Sequence, residues 1–313
     1  MDYGLAREVL NHKSFLQITE SEFLAIEAAK DGLLQALFIE EKFDLVIENL
    51  LDLESTMLNS TVRGAFLGHQ DWESAQQERG LLNRRLINLL TAARIYSDHV
   101  KHHVKKVFSD VSDSTSGPNL KILFSREYDS RLGFRAGEAL RNFVQHRGFP
   151  VHGTTFDMSR QENSDNNHST LRCGLSPYLE PEELRKDGDF KKNVLDELES
   201  LGKKIDLKTI VRDYVEGIAN VHNEIREQIQ SQVDRWEETI TSSIDRFKRE
   251  SPEEGVLALC AIQTDEEGKW LKKVQIFSDF LGYRRTLKRK NSSLQTISKK
   301  YITSEIIPQR LNK

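Results

Sequence analysis

Apolar residues return every three or four positions through most of the chain, the signature of helices that bury one face. The first such stretch, SEFLAIEAAKDGLLQALFIEEKFDLVIENLLDLESTML (21–58), follows Thr19 and Glu22, whose spacing predicts a capping box. Asp31 and Gly32 mark a point where this helix is expected to break or bend. A second stripe, including Leu82, Leu86, Leu89, Ala93, Tyr96, Val100 and Val104, predicts a helix over 71–108 that needs partner helices. The segment SDVSDSTSGP (109–118) reads as a loop, and a third helix is expected from Leu120 to Arg147. Gly148, placed at C′, and Pro150 supply its stop.

Beyond Pro150 the period shortens. FPVHGTTFDM (149–158) and STLRCGLSPYL (169–179) are β-tolerant runs around the polar SRQENSDNNH, which predicts a hairpin. Helical spacing resumes over 182–249, with a break at Gly202 and an amphipathic piece from Asp206 onward, until Pro252 and Gly255 end it. GVLALCAIQTDEEGKWLKKVQIF (255–277) predicts two strands joined across TDEEGK, and SKKYITSEIIP (298–308) another. The expected fold is mainly α, a helical bundle of long helices with a small β-hairpin and a small α/β C-terminal appendage. Its expected divisions are 1–150 for the first helical domain, 151–250 for the hairpin and the helices completing the bundle, and 251–313 for a basic appendage.

Composition narrows the functional classes. Charged residues make up 30% of the 313 and apolar ones 37%, which suits long helices with broad solvated faces. Cys173 and Cys260 stand far apart without CxxC spacing, so neither a disulfide framework nor a zinc knuckle is expected. With no basic-then-apolar N-terminus and no run of about 18 apolar residues, secretion and membrane association are not expected, and a cytoplasmic location is. The net charge of −4 gives no global attraction for nucleic acid. A basic run, Arg284, Arg285, Lys288, Arg289 and Lys290 beside Tyr283, still offers a candidate RNA-binding surface; its alternative is an ordinary solvated face. No phosphate-cradling glycine loop, GxSxG or paired carboxylates argue for an NTPase, hydrolase or glycosidase.

The chemistry concentrates in EALRNFVQHRG (138–148), where Arg141, Asn142 and His146 spell RNxxxH. Two other RxxxxH spacings occur, Arg94 with His99 in RIYSDH and Arg147 with His152, the latter interrupted by Gly148 and Pro150. Glu138, Asn142 and His146, at i, i+4 and i+8, share one helix face, so Asn142 is expected to hold the imidazole and Glu138 to tether Arg141 or Arg135. Arg141 and His146, about 140° apart around an ideal helix, cannot easily aim at one atom, which argues for two helices meeting across a seam. The bland alternative is a helix end where Arg141 pairs with Glu138 and His146 caps carbonyls.

The RNxxxH motif, with EYDSRLGFRAGEALRN before it, QHRGFPVHG after it and RIYSDH upstream, resembles the HEPN superfamily, over about residues 75–160. That resemblance implies a HEPN-like bundle and a metal-independent endoribonuclease without cofactor, acting as a homodimer whose motif helices form a composite cleft. It further implies a toxin or phage-defence role, with an antitoxin or activator as partner. Arg141 would clamp phosphate and His146 would move a proton, with Asn142 beside them as a third catalytic residue, giving a 2′,3′-cyclic phosphate and a 5′-hydroxyl. Arg94, Tyr96, Asp98 and His99 are expected to support the cleft from a facing helix, or else to be polar positions on a long helix. His99, His102 and His103 have metal-compatible spacing but no fourth ligand, and read better as a cationic surface. The alternatives are a catalytically inactive helical module binding RNA or a partner, and a helical scaffold.

Overall fold

The computed structural model describes residues 1–9, 15–68, 71–109, 117–162, 169–186, 188–253, 255–292, 294, 296–300 and 302. Three long helices form its frame: α1 (Glu20–Leu67), α2 (Trp72–Val107) and α7 (Leu207–Glu250). The capping box is formed, with Thr19 Oγ1 accepting from Glu22 N and Glu22 Oε2 accepting from Thr19 N. Contacts fix the directions. Asp52 pairs with Arg85 and Gln35 with His103, so α2 runs antiparallel to α1. Glu22, Glu40 and Glu54 meet Arg246, Arg226 and Arg212, so α7 runs antiparallel to α1 as well. The seam between them is the apolar stripe of each helix, and each fully buried Leu or Ile there contributes about 1.5–3 kcal/mol.

Helix α1 does not break at Asp31–Gly32. Gly32 lies under the Trp236 ring of α7, and a Cβ there would fall 2.3 Å from Trp236 Cη2. The glycine serves packing, and neighbouring hydrogen bonds keep the helix whole.

The expected third helix is two. Helices α3 (Leu120–Ser130) and α4 (Leu132–His146) meet at Arg131, which is extended at φ −123°, ψ 119°. The cause lies on α7: Arg131 pairs with Asp213 at 2.6 Å and Glu216 at 3.1 Å as well as with Glu127, while Gly133 N donates to Asp213 Oδ2. Helix α4 then crosses α7 at close range. A Cβ on Gly133 would sit 2.7 Å from the Ile210 carbonyl oxygen, and one on Gly137 would sit 2.5 Å from Tyr214 Cγ. Gly148 follows the helix, its N–H donating to the Phe143 carbonyl, without adopting positive φ.

A three-stranded antiparallel sheet, β3 (Gly153–Glu162), β4 (Ser169–Leu179) and β5 (Ile205–Asp206), lies by the C-terminal end of α1, where Phe156 covers Gly64. Short helices α5 (Pro181–Lys186) and α6 (Lys192–Leu201) follow the hairpin, and Gly202 ends α6 at φ 137°. At the other end of α1 a four-stranded sheet is ordered β2-β1-β6-β7, with β1 (Asp2–Arg7), β2 (Phe15–Ile18), β6 (Leu259–Thr264) and β7 (Trp270–Gln275). The β6–β7 hairpin turns where expected, but β1 pairs with β6 along its whole length, so Asp2–Arg7 and Phe15–Ile18 join the C-terminal segment rather than the helices alone. Helix α8 (Asp279–Lys290) packs on α1 and α7, and Ile297–Lys299 form a 3-10 turn where a last strand was expected. Residues 301 and 303–308 of that segment, 110–116 of the loop and 163–168 of the polar hairpin stretch lie outside the described residues.

A polar cluster sits where α1, α2 and α7 meet. Glu40 takes both Nε and Nη2 of Arg226, and accepts from His222 Nε2 at 3.2 Å. With that nitrogen donating, His222 Nδ1 accepts from the Tyr96 hydroxyl at 3.1 Å, and Phe43 stacks on the ring at 3.9 Å. Burial pushes His222 down to about 4 against the pull of Glu40, so the ring is neutral near pH 7. Burial raises Glu40, but His222 and Arg226 outweigh it and hold the carboxylate at about 2.

Two predictions follow from this packing. In Gly133→Ala the new methyl meets backbone, which costs about 1–3 kcal/mol, whereas Gly80→Ala in open space on α2 stabilises by about 0.4–1 kcal/mol; thermal melts of the two variants should move in opposite directions. The depressed His222 means that the unfolded chain, titrating near 6.5, takes up a proton first as pH falls. Stability is therefore fully present above pH 6.5 and declines toward pH 4, by on the order of 3 kcal/mol. Denaturant midpoints across that window should show this slope, and His222→Gln should flatten it.

Candidate functional site

An open groove of about 580 Å³ runs between α2, α3, α4 and the segment 189–191. Helix α4 supplies one wall through Arg135, Glu138, Ala139, Asn142, Phe143 and His146, a stripe at i, i+3, i+4, i+7, i+8 and i+11. The opposite face of the same helix, through Gly133, Gly137 and Leu140, is pressed into the core, so the α7 crossing decides which residues face the groove. Helix α2 adds Arg94, Ser97 and Lys101; α3 adds Phe124, Ser125 and Tyr128; Asp189, Phe190 and Lys191 close the far side together with Arg147.

Glu138, Asn142 and His146 share this face as their spacing predicted, and Asn142 and His146 are exposed. Their hydrogen bonds differ from expectation. Asn142 Oδ1 accepts from Arg141 Nη1 at 2.7 Å and does not hold the imidazole. Glu138 accepts from the Tyr214 hydroxyl at 2.8 Å rather than tethering an arginine, because the Gly137 crossing brings Tyr214 directly under it. Burial first, then the Glu138 charge and hydrogen bond, push the Tyr214 phenol well above its ordinary range, while the nearby Arg141 and Arg94 pull the other way. Arg135 is spent structurally, bridging Glu197 of α6 and the carbonyls of Tyr128 and Asp129. Arg141, half-buried, is not among the residues that line the groove, and its buried Nε has no hydrogen-bond partner among the described residues.

Of the four supporting positions on α2, only Arg94 lines the groove, ion-paired with the exposed Asp98 at 2.6 Å. Tyr96 is a core residue, fully buried on the opposite side of α2 against His222 and Phe43. His99 is exposed but faces away from the groove toward His103. His103 donates to or accepts from Gln35 Oε1 at 2.8 Å, and as a carboxamide oxygen only accepts, the ring nitrogen is the donor. Burial, then the charges of His102 and Lys42, hold His103 down at about 4, so it adds no positive charge near pH 7. Among the described residues no group of three or more His, Cys, Asp or Glu is placed to hold a metal ion.

The basic run on α8 is not a free cationic face. Arg284 is buried, 2% exposed, beside Glu237. Arg285 pairs with Glu237, Lys288 donates to Gln230, and Lys290 bridges Asp44 and Glu48. Among these five, Arg289 alone is exposed with no carboxylate or amide partner among the described residues. The run neutralises acidic positions of α1 and α7.

The sequence offered Lys101 only as part of a solvated or RNA-facing cationic surface with His99, His102 and His103, and did not single out Phe124, Tyr128, Phe143 or Lys191. The one local signal was the i, i+4 spacing of Phe124 and Tyr128 on α3. Lys191 reaches the groove only because the segment after α5 folds back over α4, where Phe190 packs edge-to-face on Phe143. Searches with the whole chain against protein-family models, curated proteins and solved structures give no match.

The α8 assignment can be checked on stability. Arg284 Nε and Nη2 have no hydrogen-bond partner among the described residues, and Glu237 keeps Arg285, so Arg284→Met should stay within about 1 kcal/mol of the parent or exceed it. Arg226→Met, which leaves Glu40 buried without its cation, should cost about 3–5 kcal/mol in a denaturant titration.

Proposed function

We propose that the protein is a metal-independent endoribonuclease of the HEPN type, cutting at His146. The observation that carries this reading is the single α4 stripe that sends Asn142 and His146 into an open groove whose other walls bring Arg94, Lys101, Arg147 and Lys191. Five lysines and arginines line the groove against two carboxylates, so a phosphate chain is favoured there although the whole chain is acidic.

The reaction is attack of a ribose 2′-oxygen on the adjacent phosphorus. The O2′–P bond forms as the P–O5′ bond breaks, the 2′-proton passes to a base, and the departing 5′-oxygen takes a proton from an acid. Arg94, which lines the groove, would stabilise the charge that builds on the phosphoryl oxygens, and Arg141, whose Nε is buried and which does not line the groove, would have to turn toward it to do the same. His146 would be one of the two proton carriers. Glu138 cannot be the second, because eight residues along α4 place it about 12 Å from His146 along the helix axis. A second copy of His146, brought by a second protomer across the open groove, would complete the pair.

A catalytically silent RNA-binding groove is the second reading. What favours it is that, among the described residues, no side chain hydrogen-bonds the His146 imidazole to fix its orientation.

The test is cleavage of a mixed RNA pool by purified protein in chelator, with analysis of the new ends. The expected result is 2′,3′-cyclic phosphate ends, lost by about 10²–10⁴-fold in His146→Ala with an unchanged melting temperature. Undiminished cleavage by His146→Ala would overturn the assignment, and absence of cleavage with retained RNA binding would favour the silent groove.

A further inference from the structure

The groove carries a second chemical feature besides its charge. Phe124 and Tyr128, half-buried one turn apart on α3, both face it, and each ring carries a lysine. Lys191 Nζ lies 4.7 Å from the Tyr128 ring centroid and also donates to its hydroxyl. Lys101 Nζ lies 5.8 Å from the Phe124 centroid. The two lysines come from different elements, α2 and the segment before α6, and converge on neighbouring rings of a third. Neither has a carboxylate partner among the described residues, unlike Arg94, Arg135 and Arg147, which pair with Asp98, Glu197 and Asp189.

We propose that Phe124 and Tyr128, with Lys101 and Lys191, form a binding subsite for one unpaired nucleobase and its flanking phosphates, next to His146. The inference rests on the ribonuclease reading for its ligand class but not for its chemistry, since it needs no catalysis. A ring face covered by an ammonium group is a place where a base can stack once the cation swings to a phosphate, and an ammonium on a flexible stem exchanges one partner for the other at little cost. Stacking is indifferent to base identity but demands that the base be out of a duplex, so the subsite selects single-stranded segments. Asn142 and Ser125 also line the groove and carry polar groups that could hydrogen-bond a base edge. The volume of about 580 Å³ exceeds what one nucleotide fills, leaving room for a neighbouring residue of the strand.

The experiment uses the full chain and 2′-O-methyl oligonucleotides, which cannot be cut by 2′-hydroxyl attack, with binding read by fluorescence anisotropy. A single-stranded ten-mer, the same strand with abasic positions, and its blunt duplex are compared across salt. The expected result is that abasic sites and pairing each weaken binding by on the order of tenfold, and that Tyr128→Leu does so for the intact strand but not for the abasic one. Tyr128→Phe, which keeps the ring and loses only the hydroxyl held by Lys191, should bind within about twofold of the parent. Lys101→Ala and Lys191→Ala should each lower the slope of log K against log salt by about 0.7, one phosphate. Equal affinity for intact and abasic strands, or for strand and duplex, overturns the subsite. Base-dependent binding without cleavage of ordinary RNA supports the subsite while overturning the ribonuclease reading. Cleavage without base dependence does the reverse.

Discussion

Helix α4 lies so close to α7 that Gly133 and Gly137 have no room for a methyl group, and everything at the candidate site is set by that contact. A helix has one angular freedom once its axis is placed, and two glycines four apart remove it by demanding that their edge face the partner. With that edge pressed on Ile210, Asp213 and Tyr214, the stripe from Arg135 through Asn142 to His146 must point the other way, toward α2 and α3. Arg131 fixes the axial position. Its three carboxylate partners sit on α3 and α7, so sliding α4 along α7 would strand charge on both sides of the crossing.

The frame that receives this crossing is held by a different device. Glu40, His222, Arg226 and Tyr96 come from α1, α7 and α2, and their polar atoms bond one another, so that exchanging a partner leaves another buried group unsatisfied. Hydrophobic stripes permit three long helices to slide by a turn with modest loss, whereas this cluster permits one register. The α8 cations extend the same logic outward, since Lys290 and Arg285 meet Asp44 and Glu237 on the surfaces of the very helices that carry the core. An acidic run and a basic run far apart in the chain are thus two halves of one interface.

What the sequence disclosed was local in origin. The capping box at Thr19 and Glu22, the Leu82–Val107 stripe, the stop at Gly202 and the turn between β6 and β7 each depend on residues within a few positions, and the structure contains all of them. What it concealed depends on distant partners. The interruption at Arg131 is caused by Asp213 and Glu216, the continuity through Gly32 by Trp236, and the strand character of Asp2–Arg7 by Leu259–Thr264 at the other end of the chain. At the site the same division holds. Glu138, Asn142 and His146 were legible because their spacing is a property of one helix. Tyr96 was misplaced although it already belonged to the apolar stripe of α2, and a residue that faces the core cannot also face a groove on the other side. The charges of α8 were misread because counting cations says nothing of the carboxylates opposite them.

The separation of Arg141 from His146 follows from these constraints rather than from chance. Five residues of helix turn the two about 140° apart, so when His146 faces the groove Arg141 is turned away from it and does not line it. There it reaches back through Nη1 to Asn142, which is the one polar side chain on the groove face adjacent to it. Asn142 therefore joins the two halves of the motif, linking a guanidinium held by the α4–α7 contact to the face that carries the imidazole. On the proposed ribonuclease reading, a single α4 presents one proton carrier, His146, and no second carrier within reach of the same phosphorus. Any chemistry that needs two must draw the other from outside this helix, and the open side of the groove is where such a group would enter.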